Sequence, residues 1–207
     1  MKTITSRRMA LLFMVPVILY GCAKDAAVRP PQSNTSSSTE DMTAAKTFLY
    51  IIEEGNHFAN GKRFPLFFGK VLSFSATFDS SAVYHFTDPK IKYDQNTLYG
   101  FADNNMKHQQ FSARFGWRWF NNQLQIAAYT NNYGDSTIVQ MGSVPIGKPS
   151  NYTIVVAGDH YQFTLNNFTI SLPRASTTDH AGPYKLVPYF GGNAVAPHRI
   201  AIKIEED

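Results

Sequence analysis

The chain has 207 residues, 43% of them hydrophobic and 16% charged, with 19 Lys and Arg against 15 Asp and Glu and a net charge of +4. That is enough apolar material for a buried core, and a single cysteine excludes an intrachain disulfide as its staple. No Gly-x-Ser-x-Gly elbow, phosphate loop or dinucleotide fingerprint occurs, and the six histidines form no closely spaced zinc pair, so neither cofactor nor metal is expected.

At the N-terminus, Met1-Lys2 and Arg7-Arg8 form a positive segment, followed by an apolar one from Met9 to Tyr20. About twelve residues are too few for the roughly 20 that a spanning helix needs. The run closes on Leu19-Tyr20-Gly21-Cys22. This pattern resembles a bacterial lipoprotein signal peptide. The resemblance implies that residues 1–21 are cleaved and that Cys22 receives acyl chains such as palmitate. Two or more chains anchor stably, since each buried CH₂ contributes about 0.8 kcal/mol. The membrane would thus be a partner through the N-terminal lipid, and Ala23 after the cysteine resembles lipoproteins sent to the outer membrane. Lys2, Arg7 and Arg8 would leave with the signal, so 16 basic residues would face 15 acidic ones. The clustered basic face that nucleic-acid binding needs is therefore not expected.

Residues 22–46 contain no aromatic residue and are rich in Ser, Thr, Pro and Ala. Such composition cannot bury enough apolar surface to offset ordering entropy, and predicts a flexible linker from lipid to domain. The remainder, 47–207, reads as one β domain. Phe48, Tyr50 and Ile52 suggest an opening strand; Leu72, Phe74, Ala76 and Phe78 alternate with polar residues; Ile200, Ile202 and Ile204 alternate at the end.

Turn positions make the register testable. An Asn121-Asn122 turn sets Trp119 opposite Leu124, Trp117 opposite Ile126 and Phe115 opposite Ala128. On the other face it sets Arg118 opposite Gln125 and Arg114 opposite Tyr129. A turn at Gly158-Asp159 pairs Ile154 with Phe163 and Val156 with Tyr161. A third at Asn166-Asn167 pairs Phe163 with Ile170 and Tyr161 with Leu172. Apolar meets apolar in each case, as register demands when one face is buried. The expectation is an all-β, antiparallel two-sheet sandwich.

The meander from Tyr152 to Arg174, then Leu186-Val187-Pro188-Tyr189-Phe190-Gly191-Gly192, then a strand ending at Ile204, resembles the concanavalin A-like lectin/glucanase jelly roll. Segments like Phe115-Gly116-Trp117-Arg118-Trp119 and Tyr189-Phe190-Gly191-Gly192 also resemble uncharacterised lipoproteins of Bacteroidetes-type bacteria. On the concave face of such a fold, Arg114, Arg118, Gln125 and Tyr129 would suit an acidic sugar, with Arg pairing a carboxylate. Otherwise they form an ordinary solvated sheet face. The tract from Tyr84 to Gln110 reads as a long irregular loop, and Tyr84, His85, Tyr93 and His108 in it are candidate sugar contacts, as is Tyr189. Trp117 and Trp119 face Ile126 and Leu124 and read as core. Asp88, Asp94 and Asp103 match no calcium loop.

Jelly-roll polysaccharide lyases resembling alginate lyases use an Arg strand, a Gln-Ile-His strand and a late Tyr-Phe-Lys-Ala-Gly segment. This chain offers Arg114, Gln125-Ile126-Ala127 and Tyr189-Phe190-Gly191-Gly192. Ala127 stands at the histidine, whose loss removes a general base. The leading expectation is therefore a lipid-anchored, non-catalytic glycan-binding protein of the cell envelope. A lyase acting on uronate polymers and a structural or protein-binding envelope component are the alternatives.

Overall fold

The computed structural model describes residues 46–88, 91 and 93–207. The expected signal segment, Cys22 and the expected linker up to residue 45 lie outside the described residues. Eleven strands follow in chain order: β1 (Lys46–Ile52), β2 (Val71–Phe78), β3 (Asn96–Ala102), β4 (Phe111–Phe120), β5 (Gln123–Asn132), β6 (Asp135–Val144), β7 (Ser150–Ala157), β8 (His160–Leu165), β9 (Phe168–Pro173), β10 (Lys185–Leu186) and β11 (Ile200–Glu206). The first strand thus starts at Lys46, one residue before the expected domain boundary. The described helical structure is a 3-10 turn, Ser80–Ala82, started by the Asp79 carboxylate accepting from the Ser81 amide at 2.8 Å.

The strands form a six-stranded sheet, β1-β11-β2-β7-β8-β9, and a five-stranded sheet, β10-β3-β4-β5-β6. The paired strands are antiparallel throughout. Inner-face aromatics join the sheets: Phe74 of β2 meets Tyr99 of β3 edge-on at 5.1 Å, and Phe115 of β4 meets Phe163 of β8 at 5.3 Å. Edge-to-face geometry of this kind adds to area burial. Trp117 is fully buried and packs on Phe78 at 5.2 Å.

The three turns produce the expected register residue for residue. Asn121 and Asn122 adopt φ of +52° and +58°, the left-handed pair that a two-residue hairpin requires, and Trp117 faces Ile126 while Arg114 faces Tyr129. Gly158 and Asn166 also have positive φ, and the pairs Ile154 with Phe163 and Tyr161 with Leu172 form as read. One expectation is corrected. The tract from Tyr84 to Gln110 is not one irregular loop, because β3 runs through its middle. A bulge between Thr97 and Tyr99 breaks that strand's alternation, which hides it from a period-2 reading.

Candidate functional site

The outer face of the five-stranded sheet carries Ser112, Arg114, Gly116 and Arg118 from β4 beside Gln125, Ala127, Tyr129 and Asn131 from β5. Three chain segments build walls over the Arg114 half of this face. The connection between β1 and β2 crosses the sheet edge through β-bridges from Phe58 to Tyr189, Leu66 to Tyr184 and Gly69 to Ala181. The connection between β3 and β4 brings His108, whose amide donates to the Tyr184 hydroxyl at 3.0 Å. The segment around Tyr189 closes the third side, bridging Thr97 at the start of β3. The result is an open groove of about 480 Å³ that includes Phe58, Arg63, Phe64, Gln95, His108, Arg114, Tyr129 and Tyr189 in its lining.

Arg114 forms its floor and is only 7% exposed. Its guanidinium carbon lies 3.8 Å from the centre of the Tyr129 ring, and one terminal nitrogen donates to Ser112 Oγ at 3.3 Å. Its Nε is buried with no hydrogen-bond partner, as is Gln95 Oε1 in the same lining. Among the described residues, no Asp or Glu lines the groove. Burial depresses the Arg114 pKa, and Tyr129 partly offsets this; an arginine nevertheless stays charged in proteins. The floor therefore presents a desolvated cation without a counter-charge. Space beside it is kept by Gly100, where an added Cβ would stand 2.4 Å from that of Arg114.

His108 stands on the wall with Nδ1 3.1 Å from the Tyr184 hydroxyl. Burial, with a smaller contribution from the Arg114 charge, pushes its pKa down to about 4, so it is neutral at pH 7. Its carbonyl accepts from Asn131 Nδ2 at 2.9 Å, and Asn131 Oδ1 accepts from Ser136 at 2.8 Å. Tyr189 stacks on His57 at 5.3 Å and receives the edge of Phe58 at 4.9 Å.

The expected site residues thus divide. Arg114, Tyr129, His108 and Tyr189 come together in the groove. Arg118 and Gln125 share its sheet face but pair with each other at 2.9 Å outside the lining. Gln95 separates the two halves: its Oε1 lies 3.2 Å from where a Cβ of Gly116 would be. Tyr93 sits with the Arg118 half, its carbonyl accepting from Arg118 at 3.1 Å and its ring near Phe120. Tyr84 is buried in the core, edge-on to Trp117, with its hydroxyl accepting from Asn96 at 3.0 Å. His85 is exposed beside a separate small pocket with Phe86 and Phe120. Gln95, Phe58, Arg63 and Phe64 are groove residues that periodicity did not reveal, since they lie outside the named strands.

A further buried cluster anchors the His108 connection. Asp103 accepts from Arg174 Nε at 2.8 Å and from its terminal nitrogen at 3.1 Å, and also from Tyr161, Ser176 and Thr178. That saturation makes Asp103 a structural partner and not a calcium ligand. No group of three or more metal-ligating side chains occurs among the described residues. At the positions compared with lyases, Ala127 is fully buried, and a Cβ on Gly191 would stand 2.4 Å from the Gln95 carbonyl oxygen. No lysine fits there without moving that backbone.

No family model matches this chain, and no curated protein does. Solved structures do. Alginate lyase AlyC3 in complex with dimannuronate is similar at 11% identity, over 77% of this chain and 71% of that one, with a TM-score of 0.52. The alginate lyase from Klebsiella pneumoniae is similar at 10% identity over 66% of this chain, which spans 57% of that one, with a TM-score of 0.50. A family 16 endo-glucanase from Bacteroides ovatus aligns over 79% of this chain and 84% of its own at 8% identity and a TM-score of 0.48. Likeness at such identities defines the fold alone. The protein is a jelly-roll β-sandwich.

Proposed function

We propose that this protein is a lipid-anchored component of the bacterial cell envelope, held in the outer membrane by acylated Cys22, whose β-sandwich binds glycan without cleaving it. One observation carries the reading: an open groove of about 480 Å³ sets the aromatic side chains Phe58, Phe64 and Tyr189 around a floor formed by Arg114. A sugar supplies ring faces for Tyr189, Phe58 and Phe64 and hydroxyls for the polar groups of the lining. The AlyC3 likeness adds support from its bound dimannuronate.

The test is a glycan array probed with the processed full-length protein, beside a variant with Arg114→Met. Binding to at least one polysaccharide that the variant loses is expected; no binding to any neutral or acidic glycan refutes the reading. For the anchor, Cys22→Ala should move the protein from the membrane to the soluble fraction and abolish labelling by a palmitate analogue.

One observation favours the lyase as a second reading. A neutral histidine, His108, reaches the groove from the β3–β4 connection although position 127 lacks one. A neutral imidazole can accept a proton. Incubation with uronate polymers distinguishes the readings: growth of the ultraviolet absorbance of an unsaturated uronate end supports elimination, and its absence removes it.

A further inference from the structure

We propose that the folded domain itself docks on an anionic phospholipid surface through an exposed apolar row, Phe64, Leu66 and Phe68, flanked by Lys62 and Lys70. This adds a second membrane contact to the lipid anchor proposed above and is tested apart from it.

The row belongs to a short extended segment at the sheet edge. From Phe64 to Lys70 exposure alternates: Phe64, Leu66, Phe68 and Lys70 are exposed, while Pro65, Phe67 and Gly69 are half-buried. The backbone is fixed by the Lys185 amide donating to the Pro65 carbonyl at 2.8 Å and the Phe67 amide donating to the Pro183 carbonyl at 3.1 Å. Phe67 supplies the inward anchor, stacked on Phe101 at 5.4 Å. Burial does not explain its neighbours, since Leu66 is 72% exposed and Phe68 is 61% exposed. Large apolar side chains left in water forgo the gain of burial, and a contiguous row of them marks an interaction surface.

Two observations select lipid as the occupant. The first is charge. Lys62 and Lys70 are exposed at the ends of the row, and Lys107 is exposed beside His108, whose ring meets Phe64 at 5.9 Å. Asp179 adjoins the Phe68 end, bonded to His180 at 2.5 Å. Apolar side chains rimmed by lysines suit a bilayer interface, where rings and methyl groups enter the acyl boundary and ammonium groups meet phosphates. The second observation is the path of the chain. The Lys185 ammonium pairs with the Glu206 carboxylate, and Glu206 stands opposite Lys46, the first residue of β1. The chain preceding Lys46 therefore joins the domain at this same edge. Residues 23–45 can span at most roughly 80 Å, so an acylated Cys22 keeps the row near the bilayer, where weak docking suffices. Phe64 also lines the groove, so the variants leave it unchanged.

The experiment titrates the processed full-length chain without acyl groups, as Cys22→Ser, and reads co-sedimentation with two kinds of vesicle. One is phosphatidylcholine, and the other is phosphatidylcholine mixed equally with phosphatidylglycerol. The mixed vesicles should bind at least about tenfold more tightly than the neutral ones, and Lys62→Gln and Lys70→Gln should each cost about fivefold. Leu66→Ser with Phe68→Ser should weaken binding at least about tenfold while unfolding stays cooperative. An environment-sensitive fluorophore on Leu66→Cys should shift to the blue on mixed vesicles, and the same probe on Phe168→Cys, at the start of β9, should not. No binding to the mixed vesicles, or binding that Leu66→Ser with Phe68→Ser leaves intact, overturns the proposal. A dimer that these substitutions dissociate, in place of vesicle binding, would assign the face to a second copy. Crosslinking from position 66 to an envelope protein, again without vesicle binding, would assign it to a protein partner. Either result overturns the proposal. Failure of palmitate labelling at Cys22 removes the anchor and leaves this result untouched, because the titrated chain carries no acyl group.

Discussion

Replacing Arg114 with methionine should make the fold more stable. The side chain is 7% exposed, faces no carboxylate in its groove among the described residues, and leaves Nε unpaired. The substitution removes a cation–π contact at 3.8 Å, about 2 kcal/mol when desolvated. It also removes one long hydrogen bond to Ser112, about 1 kcal/mol. Against this, a buried ion carries a desolvation cost of several kcal/mol, here taken as about 4–5, while methionine fills a similar volume without a charge. The balance is a gain of about 1–2 kcal/mol, which raises Tm by roughly 2–8 °C for a domain of this size. Urea unfolding followed by the fluorescence of Trp117 and Trp119, with calorimetry for Tm, measures it. A loss of more than about 1 kcal/mol would refute the reasoning, because Arg114 would then be part of the scaffold and not a charge held for a ligand.

Asp103→Ala should do the opposite. It strands Arg174, whose side chain is 3% exposed, against a carboxylate site that is 0% exposed, and breaking such a pair costs about 3–5 kcal/mol; a loss of unfolding free energy in urea below about a third of that would contradict the assignment. His108 gives a pH signature. Its pKa is depressed to about 4 in the folded protein from an unfolded value of 6.5, so the unfolded chain takes up the proton first. The associated stability is intact above pH 6.5 and is lost as pH falls from there to about 4; midpoints measured across that range should show a slope that His108→Gln reduces. Glycan affinity should change little from pH 7.5 to 5.5, since His108 remains neutral; a steep change centred near pH 6.5 would show that the ring titrates normally.

The strands were legible wherever one face is buried and the other wet. In β4, β5, β7, β8 and β9 a one-residue slip would send Trp117, Ile154 or Phe163 into solvent, so alternation and Asn or Gly turns settle the register. The β3 strand escaped because its bulge resets the alternation and the groove walls cover its outer face. The strand β6 escaped for another reason: most of its residues are exposed on both faces, so no apolar period marks it. Half of the site was legible, because Arg114 and Tyr129 are cross-strand partners. Their division from Arg118 and Gln125 was not, since it depends on Gln95 lying over Gly116. The Asp103–Arg174 pair, 71 residues apart in the chain, was equally invisible to a local pattern.

The most direct test of the groove as the binding site compares Arg114→Met with Arg118→Met by titration with the best-bound glycan. The two arginines share one strand face, and only Arg114 lines the groove. Loss of affinity of at least about tenfold at Arg114, with a change under about twofold at Arg118, is the expected result. Loss at Arg118 with binding retained at Arg114 would place the site elsewhere and contradict the account.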